Sequence, residues 1–187
     1  MSDTTKTPDY FFYLDDVFYF RPLRASDLNG RWPEWFNDPV VTKYQAKGFY
    51  PNTHEAQKAY YESLLDSRTD VVLAIIDRRT DAHIGNIGLH AIDALHRTAV
   101  LGIVIGEKSA WGRGIGAKSW RAMTNYGFKV LNLHKICATV IEGNEASLKC
   151  ALASGYAVEG RQAQQIFKDG KYRDLIHVGL LRENWKE

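Results

Sequence analysis

The amino-acid sequence predicts a mixed α/β (α+β) fold, in which a mostly antiparallel central sheet carries helices on both faces. Three observations predict this fold. Apolar runs joined by brief turns in the middle of the chain indicate an antiparallel meander. An apolar run, an amphipathic helix and another apolar run then form a crossover, which makes its two strands parallel. The dipeptide Asp169-Gly170 near the end is a strong signal for a closing hairpin.

The length of 187 residues fits one domain. We predict a flexible tail over residues 1–9 and a single domain over residues 10–187. The tail has no apolar segment typical of a secretory signal and no run reaches the length of a membrane span, so we expect a cytoplasmic protein without a membrane partner. The net charge of +2 gives no reason to expect a nucleic-acid partner. Cys137 and Cys150, the only cysteines, lie in apolar stretches and are expected to be buried free thiols.

The first elements are aromatic strands and helices of uneven quality. Residues 10–24 contain two aromatic runs, which indicate either a hairpin or a strand that follows an extra short strand. Ser26 or Asp27 is expected to cap the next helix, which a glycine and a proline make irregular or split before it ends at Phe36. Behind Thr53, apolar residues recur at near-helical spacing, which predicts a helix from His54 to Ser67.

The strands of the sheet are predicted from apolar, β-branched runs. The meander uses residues 71–77, 84–92 and 99–105. The last of these strands continues through a helix over residues 115–128 into a strand over residues 133–142, and this is the crossover. Beyond it we expect a short helix and then the two strands of the closing hairpin, at residues 145–153, 156–167 and 172–181.

The most informative stretch is the glycine-rich turn between the third strand of the meander and the crossover helix. Gly112, Gly114 and Gly116 let the backbone bend sharply and bring its N–H groups close to a ligand. The helix behind the turn presents free amides at the positive end of its dipole, and such a turn binds phosphate. The turn lacks the Lys-Ser/Thr pair of a P-loop and the full spacing of a dinucleotide-binding motif. Alone, it is also compatible with a purely structural connection.

Further motifs accompany this turn in the chain. Trp111-Gly-Arg-Gly-Ile-Gly116 is followed by Asn144-Glu-Ala-Ser147, by Ser154-Gly-Tyr156 and by Phe167-Lys-Asp-Gly-Lys-Tyr-Arg-Asp174. With these motifs the chain resembles the GCN5-related N-acetyltransferase (GNAT) family over roughly residues 18–185. It is most similar to the RimJ/RimL-like branch, whose members acetylate ribosomal-protein N-termini, polyamines, aminoglycosides and nucleotide-linked amino sugars. Trp111 stands where the family signature usually has glutamine or arginine, and this is a familiar variant in that branch.

The resemblance implies an enzyme that moves the acetyl group of acetyl-coenzyme A (acetyl-CoA) directly to a primary amine of a small molecule or of a peptide N-terminus. It implies acetyl-CoA as the cofactor, no metal ion, and a splayed pair of parallel strands that admits the pantetheine arm. A homodimer is common in the resembling branch. The expected cofactor-binding residues lie in the turn, in the strand before it and at the start of the next helix: Ile103, Val104, Ile105, Trp111, Gly112, Arg113, Gly114, Ile115, Gly116, Ala117 and Asn144.

The acceptor amine is expected near the helices that follow the first long strand, because these helices border the acceptor cleft in the resembling family. Candidate substrate-binding residues in that region are Trp35, Phe36, Asp38, Tyr44 and Tyr50. For any single aromatic residue among them, an ordinary place in the core or half-exposed at the surface is the favoured interpretation. A polyamine or aminoglycoside acceptor needs a carboxylate-lined cleft, since several ammonium groups must be paired. The carboxylates available for such a cleft are Asp15, Asp16, Glu34 and Asp38.

The residues that complete the reaction differ from those of many relatives. Direct transfer needs a neutral amine and a proton for the departing thiolate. Many relatives carry a tyrosine, the proton donor, at the position of Ala151, and a glutamate at the position of Val100. These two departures motivate an alternative hypothesis, in which the chain is a non-catalytic acyl-CoA sensor or binding module.

Four residues are candidates for the missing acid and base. Ser147 falls where the resembling branch has a serine proposed as proton donor, although a hydrogen bond to the start of the helix also explains it. His90, Glu107 and Glu142 lie near strand ends that face the expected cleft and are candidate bases. A histidine suits this role because it exchanges a proton near neutral pH with little tuning.

Overall fold

The structure is built around an eight-stranded mixed sheet. A computed structural model describes residues 12–186, apart from the side chain of Leu14, and the tail predicted over residues 1–9 lies outside the described residues. In chain order the strands are β1 (Tyr13–Leu14), β2 (Phe18–Pro22), β3 (Val71–Asp77), β4 (Ala82–Asp93), β5 (Thr98–Ile105), β6 (Lys135–Ile141), β7 (Ala157–Lys168) and β8 (Lys171–Leu181). They lie side by side in the order β1-β2-β3-β4-β5-β6-β8-β7. The β5–β6 pair is parallel and the other neighbouring pairs are antiparallel, so the predicted meander, crossover and closing hairpin are confirmed.

Helices cover both faces of this sheet, as predicted. They are α1 (Trp32–Trp35), α2 (His54–Leu65), α3 (Ile115–Lys129) and α4 (Glu145–Ala153). In β5, Leu101 belongs to the core cluster that contains Met123 of α3, whereas Val104 belongs to the cluster that contains Trp32 of α1. Neighbouring residues of a strand point to opposite faces, so α3 and α4 lie on one face and α1 and α2 on the other.

The capping prediction for the first helical segment was wrong. The segment is split as expected, into a 3₁₀ turn over Ala25–Asn29 and the short helix α1. Arg24, rather than Ser26 or Asp27, occupies the capping position, and the Asp27 carboxylate accepts the Arg24 N–H at 2.8 Å. The same carboxylate is bound by the guanidinium of Arg21, so a contact with β2 decides where the turn begins.

Other local predictions were more accurate. Thr53 caps α2 by accepting the Ala56 N–H at 3.1 Å, although the helix ends at Leu65, two residues before Ser67. The closing turn has positive φ at both Asp169 and Gly170, as a two-residue hairpin of type I′ requires.

Two further findings concern the cysteines and the apolar character of the helices. Cys137 and Cys150 are free thiols, as expected, but both are only partly buried. Cys137 lies on β6 where that strand leaves β5, and Cys150 lies on α4 near Gly116. None of the helices within residues 12–186 is long and apolar enough to cross a membrane.

The parallel strands β5 and β6 separate soon after they begin. They pair at three positions, and the last pair joins Val100 to Cys137. Beyond it β5 continues to Ile105 and β6 to Ile141 without a further pair between them in the described chain. The two strands therefore leave a gap that opens toward their carboxyl ends, where the glycine-rich turn follows β5. This is the splayed strand pair that the resemblance predicts.

Candidate active site

A cavity of about 390 Å³ lies over the sheet, between strands β4 and β5 and the helices α1 and α2. Its walls are aromatic and come from Trp32, Phe36 and Tyr60. Its floor includes Gly88 and Gly102, which face each other across β4 and β5. Because these two residues have no side chains, larger groups can lie directly on the backbone of the floor.

The imidazole of His90 lies across the two glycines. A Cβ atom added to Gly88 would stand 3.0 Å from His90 Nε2, and a Cβ atom added to Gly102 would stand 3.3 Å from it. At the other ring nitrogen, Nδ1 lies 2.9 Å from Asp70 Oδ1. Since a carboxylate only accepts, Nδ1–H is the donor, and the neutral imidazole carries its lone pair on Nε2 at the cavity floor.

Asp70 is a site residue that sequence reasoning missed. Its carboxylate also accepts a hydrogen bond from Thr69 Oγ1 at 2.8 Å. Burial alone raises the pKa of Asp70, but the hydrogen bonds from Thr69 and His90 outweigh burial and hold the pKa below its ordinary value. A negative charge therefore faces the imidazole at neutral pH. Only the strand register reveals this pair: Val71 stands opposite Leu89, so the residues next to them also face each other.

The two glutamates predicted as alternative bases lie elsewhere. Glu107 accepts a hydrogen bond from Trp35 Nε1 at 2.9 Å and pairs with Arg31 at 3.0 Å. Glu142 pairs with Arg161 at 3.0 Å, at the end of β6. Neither glutamate is among the described residues that line the cavity, so the histidine is the candidate base that the structure brings to it.

The candidate substrate residues around α1 divide between two cavities. Phe36 lines the large cavity. Trp35 is fully buried and packs on Gly106, where a Cβ atom would stand 1.9 Å from the indole. With Asp38 it lines a separate cavity of about 270 Å³, and the Asp38 carboxylate pairs with Lys108 at 2.7 Å.

The remaining two candidates do not line the large cavity. Tyr44 lies against Gly143, whose added Cβ would be 3.3 Å from the ring, and Tyr50 is 87 % exposed. Sequence reasoning missed an aromatic pair, an amide and a cation in the lining, namely Trp32, Tyr60, Gln45 and Lys47. Only Tyr60 had a signal, as one of the periodic apolar residues of α2, and that periodicity does not separate a wall residue from a core residue.

The glycine-rich turn has the backbone that only glycine adopts readily. Gly112 and Gly114 have φ of 74° and 76°, in the left-handed region. A Cβ atom on either would meet no atom of the described chain within 4 Å, so the space over the turn is open. Helix α3 begins directly after Gly114, and the N–H groups of its first turn have no partner within the helix. Residues 112–117 thus present backbone donors to open space.

Two cations at the edge of the turn are already paired. Arg113, one of the expected cofactor-binding residues, bonds Asp77 at 2.5 Å, and Lys118 bonds Asp15 at 2.9 Å. Burial alone raises the pKa of Asp77, but Arg113 and backbone N–H donors hold it below its ordinary value. The backbone amides and the helix dipole, rather than free side-chain charge, therefore dominate the field at the turn.

Backbone groups of β5 face the gap between β5 and β6. The Gly106 N–H donates to the Ile84 carbonyl at 2.9 Å, so alternate residues of β5 direct their backbone groups to β4. The groups of Ile103 and Ile105 therefore point the other way. Ile105 O accepts the indole N–H of Trp111 at 2.8 Å, which ties the turn to the end of β5.

The start of α4 lies beyond the gap. Asn144 caps the helix by accepting the Ser147 N–H at 3.2 Å, and the Ser147 hydroxyl makes no hydrogen bond with any described residue. Ala151 is fully buried in the core. Tyr156 is buried as well, its hydroxyl lies 2.9 Å from Thr124 Oγ1, and burial raises its pKa, so it serves the core and not proton transfer.

Comparison with known proteins gives one family. Residues 18–157 match the family model of the acetyltransferase (GNAT) domain. The chain is 30% identical over 166 residues to spermidine N(1)-acetyltransferase of Escherichia coli (strain K12), a match that covers 88% of this chain and 86% of that protein. It is also 30% identical over 102 residues to the putative ribosomal N-acetyltransferase YdaF of Bacillus subtilis (strain 168), covering 54% of this chain and 55% of that protein.

A solved structure has the same fold. The crystal structure of spermidine N-acetyltransferase from Vibrio cholerae in complex with CoA and spermine superposes with a TM-score of 0.83. The two chains are 22% identical, and the match covers 91% of this chain and 98% of that chain.

Proposed function

This chain belongs to the GNAT acetyltransferases and is an acyl-CoA-dependent N-acetyltransferase, and from this we propose that it acetylates a primary amine bound in the cavity over β4 and β5. The amine belongs to a small molecule or to a peptide N-terminus. One observation carries the proposal, which is that β5 borders both the gap and the cavity. Its backbone faces the gap between β5 and β6, and its residues Gly102 and Val104 line the cavity. A donor in the gap and an amine in the cavity would meet across this one strand.

The residues of the turn and the gap fit acetyl-CoA. The amides of residues 112–117 are suited to its pyrophosphate, because a helix N-terminus with open space above it attracts an anion. The backbone N–H groups of Ile103 and Ile105 and the amide of Asn144 are suited to its pantetheine arm. The carbonyls of Ile103 and Ile105 already accept hydrogen bonds, from Gln45 Nε2 at 3.3 Å and from Trp111 Nε1 at 2.8 Å. When bound, acetyl-CoA supplies the acetyl group as a thioester.

Gly114→Leu is expected to raise the Kd for CoA about 10-fold or more, because a side chain over the turn blocks close approach to charge-assisted N–H donors. Its backbone strain should cost roughly 1–3 kcal/mol of stability. Gly170→Leu is the matched control, since Gly170 also has a positive φ and open space around it but lies in the closing hairpin. Calorimetric titration and thermal melting compare the two variants. Equal CoA affinity in both would mean that Gly114 is only structural.

We propose His90 as the general base. An amine enters from water mostly as an ammonium, which has no lone pair for attack and must lose a proton. His90 Nε2 can accept it at the cavity floor, while Asp70 holds the Nδ1–H and stabilises the imidazolium that forms. The aromatic walls reduce the contact of the bound amine with water.

Ser147 is proposed as the donor of the proton that the departing thiolate takes. Its hydroxyl has no competing partner in the described chain and lies at the first turn of α4, beside Asn144. Ser147→Ala is expected to lower kcat about 10-fold or more while leaving the affinity for CoA unchanged. Stopped-flow measurement of thiol release gives kcat. An unchanged kcat would remove Ser147 from this role.

The function is tested with purified protein, acetyl-CoA and four classes of amine, which are a polyamine, an aminoglycoside, a nucleotide-linked amino sugar and peptides with a free N-terminus. Thiol release and the mass of the acetylated product report transfer. Two of the named relatives are spermidine acetyltransferases, which makes the polyamine the reference substrate. CoA binding without transfer to any class would overturn the proposal. A homodimer stays a prediction.

A further inference from the structure

We propose that the acceptor carries an anionic group, a carboxylate or a phosphate, close to the amine that is acetylated, and that Lys47 binds this group. The proposal rests on the proposed function, because it concerns the same cavity. The anionic group lies in the part of the acceptor that does not react, and its charge defines the class of substrate.

The ammonium of Lys47 is held in the cavity by aromatic rings. Its Nζ lies 4.7 Å from the ring centroid of Phe36 and 4.7 Å from that of Tyr60, and all three residues line the cavity. Within residues 12–186 Lys47 has no carboxylate partner. The surrounding protein displaces water from the ammonium, which lowers the pKa of Lys47. A cation placed in this way, without a counter-ion, is suited to bind an anion.

A second lysine fixes the segment that carries Lys47. Lys168, at the end of β7, is buried, and its ammonium donates to the Lys47 carbonyl at 2.9 Å. It also lies 4.4 Å from the ring centroid of Phe49. Like Lys47, it makes no ion pair with any residue that the structure describes. The wall of the cavity therefore carries one fixed positive charge and has a second immediately behind it.

The described lining offers no carboxylate to pair with additional ammonium groups. It contains no aspartate or glutamate among the described residues, and Asp70 is already bonded to His90. The carboxylates predicted for a polyamine cleft lie elsewhere. Asp15 and Asp16 face Lys118 and Arg78, whereas Glu34 and Asp38 line the separate smaller cavity.

A polyamine would therefore place a like charge next to Lys47. After one amine has lost its proton, a polyamine still carries at least one ammonium, and like charges disfavour each other most where water is excluded. An amine with a nearby carboxylate or phosphate has the opposite charge there. The chemistry of the wall thus selects against polyamines, the substrate class of the two spermidine acetyltransferases named above.

The test compares primary amines of similar size that differ in the distant group, which are β-alanine, O-phosphoethanolamine, ethanolamine and 1,3-diaminopropane. For the wild-type enzyme, kcat/KM is expected to be about 10-fold or more higher for β-alanine or O-phosphoethanolamine than for ethanolamine, whose distant group is uncharged. The diamine should be the poorest of the four. The two anionic amines distinguish carboxylate from phosphate.

Variants of Lys47 assign the preference to this residue. Lys47→Glu is expected to reverse the order, so that the diamine becomes the best substrate, and Lys47→Arg should keep the wild-type order. Lys43→Glu is the matched control, because Lys43 lies on the same segment over the ring of Tyr44 and does not line the cavity. Thermal melting checks that each variant is folded.

The outcomes separate this inference from the proposed function. Efficient acetylation of the diamine or of ethanolamine by the wild-type enzyme would support the proposed function and overturn the inference. In that case the Lys47 ammonium would occupy the position between the rings that the ammonium of the acceptor takes when it binds. If no amine is acetylated, calorimetric titration of the same four amines into the CoA-bound enzyme decides. Binding of an anionic amine that Lys47→Glu weakens about 10-fold or more supports the inference, and binding unchanged by Lys47→Glu, or none at all, overturns it.

Discussion

His90→Ala is expected to lower kcat/KM about 10²–10³-fold, because a positioned general base contributes roughly this much to proton transfer. The side chain lies on the cavity floor, and its Nε2 has no competing carboxylate, since Asp70 is bonded to Nδ1. The affinity for CoA should stay within about two-fold, because the turn and the strand gap are built from other residues. Steady-state thiol release and calorimetric titration give the two quantities.

The pH dependence separates loss of a base from loss of packing. An amine that is already neutral needs no base, so the deficit of His90→Ala should shrink as the pH rises toward the pKa of the amine itself. A cavity that had merely collapsed would remain inactive at every pH. Asp70→Asn keeps an acceptor for the Nδ1–H of His90 but removes the negative charge. It should therefore lower kcat/KM less than His90→Ala does.

The chain supplies a matched control for this pair. His96 also bonds a carboxylate through Nδ1, to Asp93 at 2.8 Å, but it lies in the turn between β4 and β5 and its side chain is 71% exposed. His96→Ala should keep kcat/KM within about two-fold, since exposed pairs of this kind contribute little. If His90→Ala were as active as His96→Ala, His90 would have no part in proton transfer.

Much of the fold is readable from the sequence because its signals are local. The predicted strand over residues 71–77 and the helix over residues 145–153 have the bounds that the structure gives. Asp169 and Gly170 of the closing turn adopt positive φ, and so do Gly112 and Gly114 of the glycine-rich turn, whereas Gly116 lies in α3. A positive φ is a property of these residues and their neighbours. The capping prediction for the first helical segment was wrong because Arg21, a residue outside the segment, binds the carboxylate of Asp27, one of the two expected caps.

The composition of the site is not local, and the sequence does not specify it. Asp70 meets His90 because β3 pairs with β4 in one register, and a shift of one residue would turn either side chain to the other face. Trp32 and Trp35 lie on the same four-residue helix, yet only Trp32 lines the large cavity. Periodicity cannot assign faces over so short a helix.

The charge of the cavity is the clearest case. From sequence alone, Asp15 and Asp38 were as available to an acceptor as any other carboxylate. Each is paired with a lysine from a distant element, Lys118 and Lys108, at 2.9 Å and 2.7 Å. No motif in the sequence marks Lys47, and only the folded chain places it between two rings without a counter-ion among the described residues. Which charges are free to meet a substrate is thus decided by tertiary pairing.

Asp27→Asn is expected to lower the free energy of unfolding by about 3–5 kcal/mol, because it leaves a buried guanidinium without its counter-charge. Arg21 and Asp27 form two hydrogen bonds, of 2.8 Å and 2.7 Å, and their side chains are 9% and 6% exposed. The pair joins β2 to the 3₁₀ turn before α1, so its loss should also loosen the wall of the cavity. Urea unfolding at pH 7 measures the difference.

The pH dependence of this difference has a definite sign. Burial alone raises the pKa of Asp27, but the Arg21 guanidinium and the Arg24 N–H outweigh it and hold the pKa below its ordinary value. A carboxyl whose folded pKa is lowered stabilises the protein above its unfolded pKa of about 3.9, and this stabilisation is lost as the pH falls through the lower folded value. The advantage of the wild-type protein over Asp27→Asn should therefore shrink below about pH 4.

An exposed ion pair sets the scale for comparison. Lys58 and Glu62 lie one turn apart on α2 at 3.7 Å, with side chains that are 58% and 56% exposed. Glu62→Gln should change the free energy of unfolding by no more than about 0.5 kcal/mol, since water screens such pairs. If Asp27→Asn also cost so little, the buried guanidinium would have found water or another acceptor. The Arg21–Asp27 pair would then fix the position of the turn without stabilising the fold.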